Sequence, residues 1–190
     1  MKSILRCPNS PRTAVLIDGY WGQAVMKDEI QKVNMKSYEK NLLLQSKYKM
    51  TAYFYDLLDY PWERTYKKWR PKLVGDLRGE ILEAGVGTGR NLEYYHEDVQ
   101  LTGIELSQHM LNKAEKRITN AKCKVRLLKE DATVMKSIDS NHFDWVFSTF
   151  MCCVMPDEIQ ELAIEQFSRV LKDGGRFRLL EIVYSKNEKI

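Results

Sequence analysis

The sequence predicts an α/β protein built on a doubly wound parallel sheet of about five strands, and three observations carry that expectation. From Glu80 onward, short apolar runs alternate with stretches of helical periodicity, the pattern of βαβ units. A glycine-rich turn, "EAGVGTGRN" at residues 83–91, follows the first apolar run directly. Glu105 closes the second run, 22 residues after Glu83, the distance at which a carboxylate can meet a ribose diol at the ends of adjacent strands.

The elements follow in order. Residues 1–35 are heterogeneous, with Pro8, Pro11 and Gly19, and read as a poorly ordered extension outside the core. Residues 36–72 read as a helical basic and aromatic segment, broken near Asp59-Tyr60-Pro61 where proline cannot continue the hydrogen-bond ladder. Residues 73–190 form the core. Its first strand is Glu80–Ala84, and a helix is expected from Gly89 to Tyr95. The second strand is Gln100–Glu105. Ser107 is placed to cap a helix running to Thr119, with Met110, Leu111, Ala114 and Ile118 on one side. Lys124–Lys129 is the third strand. Phe143–Phe150 is the fourth, so continuously apolar that both faces are expected to be buried. A helix from Pro156 to Leu171 follows, with Pro156 in its first turn. Gly174-Gly175 then turns into the fifth strand, Arg176–Val183.

At 190 residues, 44% hydrophobic and 29% charged, the chain has an ordinary globular composition. A net charge of +4 does not by itself call for nucleic acid. The charge is concentrated, however: residues 36–72 hold nine basic and four acidic side chains, interleaved with aromatics that include Tyr48, Tyr53 and Tyr55. Such a segment suits peripheral contact with an anionic membrane; an amphipathic helix with a solvated lysine face accounts for it more simply. Cys7, Cys123, Cys152 and Cys153 form no CxxC, and His96, His109 and His142 are scattered. Reduced thiols, no metal site and a cytoplasmic location are therefore expected. The first 17 residues carry Lys2, Arg6 and Arg12 without an acid, a weak mitochondrial signal that an irregular N-terminus explains equally.

The glycine turn discriminates among ligands. A phosphate-binding P-loop needs Lys-Ser/Thr after its last glycine, and Arg90-Asn91 stands there instead. A dinucleotide loop needs G-x-G-x-x-G, whereas Gly85, Gly87 and Gly89 alternate. A carboxylate at Glu83 repels pyrophosphate and suits a cation. S-adenosylmethionine (SAM) supplies an ammonium and a sulfonium on an adenosine, and Asp131, just after the third strand, is placed to meet its adenine. An NAD-dependent oxidoreductase is the reading these features weaken.

"ILEAGVGTGRN", "LTGIELSQHMLNKA", "LLKEDAT", "FDWVFSTF" and "FSRVLKDGGRFRLLE" resemble, in order and spacing, the motifs of class I SAM-dependent methyltransferases. Within that class the chain is most similar to phosphatidylethanolamine N-methyltransferases and quinone-biosynthesis methyltransferases. The resemblance implies a Rossmann-like fold and a small-molecule or lipid acceptor, a phospholipid amine or a quinone. It also implies cofactor contacts: Glu83, Gly85, Gly87 and Gly89 at the methionine end, Glu105 and Leu106 at the ribose, Asp131 and Ala132 at the adenine. Ser148 would sit near the sulfonium, with Tyr55 covering the cofactor. No catalytic side chain is singled out, because methyl transfer asks mainly for proximity, orientation and desolvation. The class continues past its fifth strand with an antiparallel hairpin, whereas this sequence ends about seven residues beyond that strand. The expectation is therefore an exposed sheet edge, covered by a second copy or a partner, and a non-catalytic SAM-binding or interaction protein as the alternative function.

Overall fold

A computed structural model describes residues 2–6, 12–20 and 60–184. Tyr48, Tyr53, Tyr55 and the remainder of residues 21–59 lie outside the described residues, as does Cys7. Seven strands form one sheet: β1 (Lys2–Arg6), β2 (Arg12–Tyr20), β3 (Glu80–Ala84), β4 (Gln100–Glu105), β5 (Lys124–Lys129), β6 (Phe143–Thr149) and β7 (Leu171–Tyr184). Their spatial order is β1-β2-β7-β6-β3-β4-β5. The five strands from β7 to β5 are parallel, and β2 runs antiparallel to both β7 and β1. The chain builds outward from β3 in one direction through β4 and β5, then returns to the other side of β3 with β6. That reversal opens a crevice at the carboxyl ends of the strands.

Among the described residues three helices cover the sheet: α1 (Tyr60–Val74), α2 (Gln108–Arg117) and α3 (Asp157–Val170). Strand alternation decides what each face meets. Ile81 packs with Leu73, Val74 and Leu77 after and within α1, with Leu111 of α2 and with Phe147. Leu82 and Ala84 point the other way, to Ala163, Phe167 and Val170 of α3. All of β3 from Ile81 to Ala84 is buried, as befits a central parallel strand covered on both sides. Ser107 caps α2 as its sequence position suggests, its hydroxyl accepting from the Met110 N–H. Pro71 falls in the last turn of α1, where its carbonyl accepts from the Gly75 N–H and closes the helix.

Three expectations are corrected. The helix expected from Gly89 is a single 3-10 turn, Leu92–Tyr94, because Tyr95 is already extended (ψ 145°). The Gly174-Gly175 turn is a bulge within β7: Phe143 pairs with Leu171, Trp145 pairs with Arg176, and Gly174 takes a φ of +76° in between. The third correction is the largest. Residues 2–6 and 12–20 are not outside the core but contribute two strands. β2 pairs with β7 from Arg12↔Tyr184 to Tyr20↔Arg176. The β7 edge, which the sequence left exposed, is thus occupied by the chain's own N-terminal hairpin, and the premise for a second copy or partner covering it falls away.

Charge fixes that hairpin. The Arg178 guanidinium, 8% exposed, donates to Asp18 of β2 at 2.9 Å and to Asp76 at 2.6 Å. It also donates to the Leu73 carbonyl at the end of α1. Arg176 makes a second contact to Asp18 at 3.3 Å. Both guanidiniums lie over the Trp145 ring, at 4.4 and 5.1 Å from its centroid. Removing one partner of a buried pair leaves a desolvated charge, which is the costly case. Asp18→Ala is therefore expected to lower unfolding free energy by about 2–3 kcal/mol, Asp76 still compensating part of the charge. Urea denaturation checks this; an unchanged midpoint would mean that β2 does not depend on the ion pair.

Candidate functional site

A cleft of about 570 Å³ opens at the carboxyl ends of β3, β4, β5 and β6. Six of the residues singled out in the sequence line it: Gly85, Gly87, Glu105, Leu106, Asp131 and Ala132. Glu83, Gly89 and Ser148 do not, and Tyr55 lies outside the described residues.

The glycine turn is held from several directions at once. Gly85 and Val86 both donate to the Ile104 carbonyl at 3.0 Å, tying the turn to β4. Gly87, at φ +58°, donates to Glu105 Oε2 at 3.0 Å, while the Ser107 N–H donates to Oε1 at 2.9 Å. Arg117, in the last turn of α2, donates to the Thr88 carbonyl and hydroxyl, both at 2.6 Å. Gly89 serves packing rather than a ligand. A Cβ there would stand 3.0 Å from the Ala114 Cα and 2.9 Å from Leu92 Cδ1, so its missing side chain lets α2 sit close against the turn. Burial raises the Glu105 pKa, opposed by the N–H groups of Ser107, Gly87 and Leu106.

Glu83 is buried under the cleft rather than facing it. Strand alternation sends its side chain to the α1 face, where Asn91 Nδ2 donates to it at 2.6 Å and the Tyr95 hydroxyl at 2.9 Å. Asn91 in turn accepts from Arg70 Nη1 at 2.6 Å. The amide orientation is fixed by this chain, since only its nitrogen can donate and only its oxygen can accept. Desolvation pushes the Glu83 pKa up to about 7, against the hydrogen bonds from Asn91 and Tyr95 and the charge of Arg70. Asn91 and Arg70 line the cleft, so Glu83 reaches it through them. The side chains that sequence reasoning missed are these two. Asn91 was visible beside the last glycine, whereas nothing in the sequence marked Arg70 among the other cations of its helix.

Asp131 accepts from both the N–H and the hydroxyl of Thr133, at 2.9 and 2.7 Å, and so orders the turn in which it stands. At the end of β6 it is Thr149, not Ser148, that lines the cleft. Ser148 is fully buried and its hydroxyl has no hydrogen-bond partner among the described residues. The opposite wall is apolar: Phe150, Met151, Val154, Met155 and Ile159. Among the described residues no group of three His, Cys, Asp or Glu is placed to hold a metal ion.

A glycine turn that leaves room at Gly85 and Gly87, two carboxylates at neighbouring strand ends and an apolar wall make a lining that fits SAM: anionic groups for the cation and ribose, apolar surface for the methyl-bearing end. Comparison with known proteins agrees. The family described as "Methyltransferase domain" matches residues 81–175, half of the chain. The chain belongs to that family. Its fold and glycine turn are those of SAM-dependent methyltransferases. It is 34% identical over 99 residues to the phosphatidylethanolamine N-methyltransferase of Cereibacter sphaeroides, covering 51% of this chain and 47% of that one. It is 27% identical over 128 residues to a ubiquinone/menaquinone biosynthesis C-methyltransferase of Syntrophotalea carbinolica, covering 64% and 53%. The chain thus spans about half the length of these curated relatives. A solved complex of DhpI with SAM and HEP superposes with a TM-score of 0.60 at 22% identity, covering 79% of this chain and 68% of that one.

The Glu83 environment gives the protein a characteristic pH dependence. A carboxyl with a pKa raised from 4.5 to about 7 favours the fold fully below pH 4.5, and that contribution is lost as pH rises to about 7. The loss for the ligand-free protein is about 3 kcal/mol. Glu83→Gln, the same shape without the titration, is expected to flatten the fall in unfolding free energy between pH 5 and 8. Denaturant melts across that range measure it, and identical slopes would remove Glu83 as the source.

Proposed function

We propose that the chain binds SAM in the cleft and transfers its methyl group to a small-molecule or lipid acceptor, a phospholipid amine or a quinone-like ring. The observation that carries the reading is the convergence, in one cleft, of Gly85, Gly87, Glu105 and Asp131 with the apolar wall from Phe150 to Ile159. The names of the two relatives support the acceptor class. So does the wall, which would shed water from an apolar acceptor far more readily than from a charged one.

The bound cofactor supplies an activated methyl group. The chain's own residues supply placement. The Arg70–Asn91 pair beside the glycine turn holds the amino-acid end, Glu105 accepts from the ribose hydroxyls, and Asp131 with Ala132 borders the adenine. Phe150, Met151 and Val154 exclude water from the acceptor side. Because these groups are positioned by backbone hydrogen bonds before any ligand arrives, little ordering entropy is lost on binding.

Isothermal titration with SAM, its demethylated product SAH and NAD tests the reading. Micromolar binding of SAM and SAH without NAD is expected; no binding of either would sink it, and NAD alone would favour an oxidoreductase. Glu105→Ala removes the ribose acceptor, and Gly87→Val forces a branched side chain into a φ of +58°. Each is expected to cut SAM affinity by at least about 100-fold while the circular dichroism of the fold persists. Retained affinity in either would contradict the site. Methyl-tritiated SAM in a lipid and quinone extract then identifies the acceptor, and binding without transfer to any component would indicate a non-catalytic SAM-binding protein.

Proton release should follow the cofactor. A cation settling beside Asn91 favours ionised Glu83, so binding near pH 7 releases a proton and SAM affinity rises as pH rises through about 7. Titrations in two buffers of different ionisation enthalpy would report the release; equal apparent enthalpies would show that Glu83 does not sense the ligand.

A further inference from the structure

We infer that Glu181 is the positioning residue of the acceptor wall, an inference that rests on the proposed methyl transfer. Glu181 stands near the end of β7, six residues past the family match that closes at residue 175. It is a buried carboxylate that makes no contact with the cleft itself. Its two oxygens divide the turn after β6 between them. Oε1 accepts from the Cys152 N–H at 3.1 Å and Oε2 from the Cys153 N–H at 3.0 Å. One residue earlier in β7, the Leu180 carbonyl accepts from the Phe150 N–H at 2.8 Å.

These bonds hold a conformation the loop does not adopt unaided. Phe150 has a φ of +57°, a left-handed backbone that a bulky residue takes only when its surroundings impose it. The Phe150 ring is braced against Tyr66 of α1, centroids 4.7 Å apart. The 3-10 turn Cys152–Val154 is too short to hold itself, and its first N–H groups have no partner within the turn. Glu181 satisfies them, and in doing so it fixes Met151, Val154 and Met155, which are three of the five apolar residues facing the acceptor. Cys152 is thereby explained without reactivity: burial, and then the adjacent Glu181, push its thiol well above the ordinary range, so it stays protonated.

The adenosine side owes nothing to Glu181, since Glu105 and Asp131 are ordered by Gly87, Ser107 and Thr133. A positioning role therefore predicts a split. Two variants of the full chain test it, Glu181→Gln, isosteric and still able to accept one bond, and Glu181→Ala. In the ligand-free protein, hydrogen exchange of peptides covering residues 150–155 should rise at least about tenfold in both variants, while peptides covering 104–110 and 129–135 stay as in the wild type. SAH affinity should stay within about fivefold, and methyl transfer from tritiated SAM into lipid or quinone extract should fall by at least about tenfold more than SAH affinity does. Unchanged exchange at 150–155 would overturn the clamp. Exchange rising throughout the fold, with SAH affinity and transfer falling together, would make Glu181 merely structural and overturn the positioning role. Failure of the wild type to bind SAH would overturn the methyl-transfer reading instead, and the exchange comparison, which needs no ligand, would still decide whether Glu181 holds the loop.

Discussion

The structure depends first on how one buried carboxylate is satisfied. Glu83 lies one residue before the end of the central strand, where both sheet faces are covered, and an isolated ionised carboxylate there would cost several kcal/mol. The chain answers with a relay: Arg70 to Asn91 to Glu83, with Tyr95 donating from the other side. Its members come from α1, the glycine turn, β3 and the residue after the 3-10 turn. Satisfying one charge therefore locks the approach of α1, the path of the turn and the start of the return to β4. An amide is the right intermediary, because it accepts from the cation on one side and donates to the carboxylate on the other. A direct Arg70–Glu83 pair would have held the carboxylate firmly ionised; with the amide between them, desolvation still dominates and the group titrates near neutrality. The relay thus makes the floor of the cleft rigid in shape and adjustable in charge.

A second constraint is the sheet edge. A parallel strand with an open side is a template for aggregation, and β7 is long enough to be one. The N-terminal hairpin closes it in the antiparallel sense, and Arg178 connects that closure to the cleft. The same guanidinium reaches Asp18 on β2, Asp76, and the Leu73 carbonyl at the end of the helix that carries Arg70. β2 and the helix that carries Arg70 are linked through one side chain.

Much of this was legible in the sequence, for definite reasons. The strands from Glu80 to Val183 and two of the helices announce themselves because each buries a face whose spacing is local, such as Met110, Leu111 and Ala114 on α2. The glycine turn and Glu105 were legible because the backbone geometry there demands those residues: Gly87 takes a positive φ and donates to Glu105. The rest depends on contacts that have no local signal. β2 is ordered by partners about 160 residues away, and its short apolar stretch, Ala14 to Ile17, resembles any loose N-terminus. Glu83 was expected in the cleft on its residue type, but the two-residue period of a strand puts it on the α1 face. The same one-residue alternation moves the cleft contact from Ser148 to Thr149. Gly89 shares a motif with Gly85 and Gly87, yet it is close packing with Ala114, not a ligand, that requires a glycine there.

The cleft's two halves are built differently, and this difference bears on how acceptor choice is set. The adenosine half hangs on backbone hydrogen bonds between adjacent strands, so almost any alteration there disturbs the sheet. The apolar half is a loop pinned by β7 through Leu180 and Glu181, with Met151 in the core and Phe150 against Tyr66 of α1. Val154, exposed on that loop, can change without repacking the core, provided that the N–H groups at Cys152 and Cys153 keep their carboxylate. Backbone donors are present whatever side chains occupy those positions. Glu181 can therefore hold the loop's path while Val154 varies, and the apolar wall can change at that position without disturbing the glycine turn.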